Sequence, residues 1–81
     1  MIRRNIAERH CDPYYAVREV LESNREMCLT KEEIFVRLPS DDDGIPLVSI
    51  SAMTNALRNL VRVGEINIFY VRGVSYYGVK R

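Results

Sequence analysis

Apolar residues recur along this chain at two spacings, and the change between them divides it. From Asp12 to Gly64 they return every three or four residues; from Glu65 to Val79 they alternate. The first spacing belongs to helices with one buried face, the second to strands. Asp12-Pro13 opens the first helix, with Asp accepting from the free amides and Pro at a position whose N–H has no helical partner. Tyr14, Val17, Val20 and Leu21 fall on one face, and Ser23-Asn24 closes the segment. Arg25–Leu29 is too short for a helix and supplies at most a brief strand. Thr30 and Glu33 have the spacing of a capping box, and Leu29 is placed to staple onto Ile34. Ile34, Phe35 and Leu38 form the second helix's buried stripe, which Pro39 ends. A third helix over Ser49–Gly64 is capped by Ser49 or Ser51 and carries Ile50, Met53, Leu57 and Leu60 at helical spacing, flanked by Ala56 and Val61. Gly64 is its expected stop. Ile66, Ile68 and Tyr70 then share one side of a strand over Glu65–Val71, with Asn67, Phe69 and Val71 on the other. Arg72-Gly73 punctuates the pattern, and Val74–Val79 completes a hairpin.

The expected fold is therefore α+β, three helices followed by a β-hairpin. With 81 residues the chain has room for one domain, in which nearly every apolar position is needed for the core. That domain spans residues 12–81, with 1–11 as an arm or lead-in. An apolar fraction of 47% is ordinary for a globular chain. No apolar run approaches the ~18 residues of a membrane span, and none has the form of a signal-peptide core. The expectation is a cytoplasmic protein with no membrane contact and with Cys11 and Cys28 reduced.

Chemistry of the enzymatic kind finds little purchase here. His10 is the only histidine and has no partner placed by the pattern. There is no phosphate-binding glycine loop and no nucleophile motif. Cys11 and Cys28 match no zinc or redox spacing, and Cys11 with His10 offers two ligands where structural zinc takes about four. Asp41-Asp42-Asp43-Gly44 lacks the alternation and closing Glu of a calcium loop. No enzyme, no cofactor and no metal site is expected.

Charge, by contrast, is informative. Residues 12–49 carry four basic side chains against nine acidic ones; residues 50–81 carry five basic ones against Glu65 alone. Such polarisation fits a face that meets a polyanion. The third helix sharpens this. Its side opposite Met53, Leu57 and Leu60 presents Ser51, Asn55, Arg58, Asn59 and Arg62, with Thr54 beside them and no acid before Glu65. Arg bonds a guanine edge in bidentate fashion, Asn an adenine edge, and Ser or Thr a phosphate. The competing reading is an ordinary solvent-facing helix side, but such sides usually mix signs.

Thr30-Lys31-Glu32-Glu33-Ile34, followed by a helix from Ser51 through Leu57 and Leu60 to Gly64 and then Ile66, resembles the DNA-binding domains of the ferric-uptake-regulator and multiple-antibiotic-resistance-regulator families. The resemblance is one of pattern and covers over half the chain. It implies a winged helix-turn-helix that binds double-stranded DNA, with the third helix in the major groove and the hairpin as a wing on flanking backbone or minor groove. Ser51, Thr54, Asn55, Arg58, Asn59, Arg62 and, at the wing tip, Arg72 are then the DNA-binding residues of a small transcriptional regulator. Its size alone is that of a phage- or plasmid-encoded regulator. A homodimer suits such a reader, because one helix covers few base pairs; the N-terminal segment or the first helix would supply the dimer surface. Two features depart from the pattern. The connection over Pro39–Val48 is longer than a compact helix-turn-helix turn, and its three aspartates would repel phosphates. The alternative is a winged helix that binds a protein partner through that acidic loop.

Overall fold

The computed structural model describes residues 12–79, and the expected arm over 1–11, with His10 and Cys11, lies outside them. Three helices, α1 (Pro13–Ser23), α2 (Lys31–Arg37) and α3 (Ile50–Arg62), precede the strands β1 (Ile66–Val71) and β2 (Val74–Val79). The fold class is α+β.

Local chemistry sets each boundary. Asp12 accepts from the Tyr15 amide at the start of α1, and Asn24 ends that helix, its side-chain amide donating to the Val20 carbonyl at 2.7 Å. At α2 both halves of the capping box form: the Glu33 amide donates to Thr30 Oγ1 at 3.2 Å and the Thr30 amide to Glu33 Oε1 at 2.9 Å. Ser49, rather than Ser51, caps α3 by accepting from the Ala52 amide at 3.1 Å. Gly64 stops α3 at φ +85°, where a side chain would be strained. The Gly64 amide donates to Val61 and that of Glu65 to Leu60, which is a Schellman motif. Glu65 is thereby tied to the helix end, and the strand begins at Ile66 rather than at Glu65.

One core joins all the elements. Val17 and Leu21 of α1, Leu29, Ile34 of α2, and Met53 and Leu57 of α3 are essentially sealed from solvent, with Ile66 and Tyr77 closing the sheet side. The expected brief strand reduces to one residue. Leu29 and Tyr77 exchange both backbone hydrogen bonds, Leu29 N–H to Tyr77 O at 2.9 Å and the return bond at 2.7 Å. The lateral order is therefore Leu29, β2, β1, with β2 in the middle.

Two apolar positions depart from the expected stripes. The buried face of α1 centres between Val17 and Val20, which leaves Tyr14 about 90° away; it is 44% exposed, and Ala16 is buried instead. Ile50 stands in the first turn of α3 and is 62% exposed, while Ala56, expected at the flank, is buried. Ile66, Ile68 and Tyr70 share one sheet side as expected, yet burial decays along them from buried through half-buried to 71% exposed. The hairpin outruns the helices it rests on. Alternation identifies the face of a strand and carries no information on where the core ends.

Candidate nucleic-acid interface

The helix α3 is 13 residues long, and its buried face is fixed by Met53, Ala56, Leu57 and Leu60. At about 100° per residue, Ser51, Asn55, Arg58 and Arg62 occupy an arc of roughly 60° centred opposite that face. All four are exposed, and Thr54 and Asn59 flank them half-buried. The stripe runs about 16 Å from Ser51 to Arg62 at 1.5 Å per residue. A rod of this size, polar on its outer side, fits a groove about 12 Å wide.

Not all of these groups are equally available. Thr54 Oγ1 donates to the Ile50 carbonyl at 2.9 Å, so its proton is held by its own helix. Arg62 donates to Asn59 Oδ1, which orients both side chains along the stripe. Ser51 Oγ lies 3.4 Å from the capping Ser49 Oγ. Asn55 and Arg58 have no side-chain hydrogen bond or ion pair among the described residues, and they stand at the middle of the stripe.

Arg72 is placed by the turn that joins the strands. β1 and β2 pair in unbroken register from Ile66 opposite Val79 to Val71 opposite Val74, which leaves Arg72-Gly73 as a two-residue loop. Both loop residues have positive φ, +53° for Arg72 and +80° for Gly73. These are the requirements of a type I′ turn, whose twist matches that of paired strands. Arg72 is the only non-glycine residue with positive φ among those described, and its side chain has no polar partner there.

No local pattern indicates the partner of Glu65, the one acid among the described residues after Asp43. It pairs with Arg18 of α1 at 3.0 Å, both side chains about half exposed. The partners lie 47 positions apart, so no local spacing rule connects them. The pair neutralises the carboxylate that follows Arg62 in the chain.

The loop between α2 and α3 is tightly closed. Asp41 Oδ1 accepts from the amides of Asp43 at 2.9 Å and Ile45 at 2.8 Å. The Asp41 amide donates to the Ile45 carbonyl, Leu47 to that of Pro39, and Gly44 turns the chain at φ +82°. One of the three aspartates is thus a backbone brace; Asp42 and Asp43 remain as exposed charges. Among the described residues no three His, Cys, Asp or Glu side chains gather as a metal site requires, and no helix is long and apolar enough to cross a membrane.

Compared with protein-family models, with curated proteins and with solved structures, the chain matches none.

Proposed function

We propose that this chain is a winged helix-turn-helix domain that binds double-stranded DNA, with α3 entering the major groove and the β1–β2 turn reaching flanking backbone or minor groove. Helix order and sheet order both support the architecture. A single-residue strand at Leu29 lies beside β2, β2 beside β1, and the hairpin extends past the helices as a wing. The observation that carries the function is the stripe Ser51, Asn55, Arg58 and Arg62, free of carboxylates and centred opposite the core. In this reading Asn55 and Arg58 meet base edges, Ser51 and Arg62 meet the backbone at either end, and Arg72 contacts DNA from the turn. Thr54 and Asn59 border the groove contact. The biological role that follows is transcriptional regulation.

The experiment is a titration of labelled duplex DNA by the intact chain, read by fluorescence anisotropy across a salt series. Affinity falls as salt rises, because phosphate neutralisation releases counterions. Arg58→Ala weakens binding by about 1–3 kcal/mol and relaxes preference at one base position, whereas Arg62→Ala weakens all sequences alike. Absence of duplex binding at low salt overturns the reading.

A further inference from the structure

Among the described residues the hairpin has an unpaired side, whose chemistry specifies what can cover it. In an antiparallel hairpin, residues alternate between those that bond across the pair and those whose N–H and C=O point outward. The Tyr77 N–H and C=O are both taken by Leu29, on the side of β2 away from β1. Tyr77 is opposite Ile68, so the backbone groups of Ile68 point away from β2 as well. By the same alternation, so do those of Ile66 and Tyr70. No backbone hydrogen bond outside the hairpin engages any of the three among the described residues. Among the described residues, the outer edge of β1 is an open hydrogen-bonding row.

Such edges are usually blunted by a charge, a proline, a bulge or a covering element. β1 reads Ile66-Asn67-Ile68-Phe69-Tyr70-Val71 and contains neither charge nor proline. Its six pairs to β2 run without a bulge. Phe69, Tyr70 and Val71 of β1 and Val74 across the turn are all exposed. Only an extended backbone satisfies the row, and only an uncharged, apolar one suits its flanks.

We propose that the outer edge of β1 pairs antiparallel with the same edge of a second copy, joining two hairpins into one sheet. Three features choose that partner. The edge is self-complementary: with Ile68 facing Ile68 of the other copy, Ile66 faces Tyr70 twice, and every outward N–H meets a carbonyl. Glu65 is already paired with Arg18, whereas Arg72 follows the strand with no polar partner among the described residues. Antiparallel pairing sets the two Arg72 charges at opposite ends of the joined strands, whereas a parallel pair would set them together. Size gives the strength. A six-residue ladder is smaller than the ~1,200 Å² of a stable interface, so the dimer is weak and concentration-dependent. The pairing leaves the α3 stripe untouched and does not rest on the DNA reading.

The test uses the intact chain without DNA. Sedimentation over a concentration series is expected to show monomer passing to dimer. Residue-resolved amide exchange supplies the specific signature. Protection of Ile68 and Tyr70 rises with concentration, while Phe69 and Val71, bonded within the hairpin, exchange at the same slow rate throughout. Tyr70→Pro removes one outward N–H and no bond of the hairpin, and is expected to abolish both effects. Tyr70→Lys, at a side chain already exposed, places a charge on the edge and does the same if the proline variant folds poorly. A monomer at millimolar concentration with Ile68 and Tyr70 unprotected overturns the proposal. So does a dimer that both variants leave intact. Protection of those amides that persists on dilution overturns it too, because the edge is then covered by residues 1–11 of the same chain.

Discussion

Arg72 occupies a backbone conformation that costs an L-residue with a Cβ roughly 1–2 kcal/mol. The turn itself is served better by Asn or Gly, the residues that type I′ geometry favours; under the proposed function the strain at this exposed turn is held for contact with DNA. Arg72→Asn is therefore expected to raise the denaturation midpoint, by about 0.5–1 kcal/mol in stability, and to lower duplex affinity. A variant that gains stability and binds duplex unchanged removes Arg72 from the interface. Tyr77 makes a different residue-scale case. Burial, then the neighbouring Tyr70 and Glu32, raise its phenol above the ordinary value of 10.0. Above pH 10 the unfolded chain loses this proton more readily than the folded one, so stability falls as pH rises through that range. Below pH 10 the contribution is fully present. Denaturant midpoints measured from pH 8 to 11 should decline more steeply for the native chain than for Tyr77→Phe.

At the scale of elements, the boundaries were legible because each is written in a few adjacent residues. The Thr30–Glu33 box is the clearest. Thr30→Ala removes the Oγ1 that receives the Glu33 amide, with an expected loss of about 1 kcal/mol in stability, readable from urea unfolding. Ser49 and Gly64 bracket α3 in the same local way, and Arg72-Gly73 marks the turn. Faces were legible less completely. Periodicity ranks positions around a helix but does not say how far the core extends along it, and for that reason Tyr14 and Ile50, on the apolar side, are exposed. Each lies at an element's end, where a position on the apolar side has nothing above it. The α3 stripe was legible because it is the complement of a four-residue core face. The restraints within it were not: the Thr54 hydroxyl bonded to Ile50 O, and Asn59 held by Arg62, follow from rotamers rather than from spacing. Asp41 is similar. A run of three aspartates reads as a charged loop, and only the closed turn separates the brace from the two free charges.

For the whole molecule, the decisive event is a contact between distant parts. Arg18 belongs to the acidic first half and Glu65 to the basic second, and their pairing leaves the end of α3 more positive than its own sequence implies. Both side chains are about half exposed, so the pair contributes little to stability, on the order of 0–1 kcal/mol. Under the proposed DNA-binding reading, its effect has another origin. Glu65 lies three positions beyond Arg62 in the chain, and charges act over ~10 Å at 0.1 M salt. Losing Arg18 frees its carboxylate to oppose phosphates at the Arg62 end of the stripe. Arg18→Ala is thus expected to lower duplex affinity several-fold at low salt while leaving the unfolding midpoint nearly unchanged. Adding Glu65→Gln to that variant restores binding, because it removes the uncompensated charge. The loss shrinks as salt rises and the Debye length contracts. If affinity falls in Arg18→Ala and Glu65→Gln fails to restore it, Arg18 meets the phosphate backbone directly, and the interface extends from α3 onto α1.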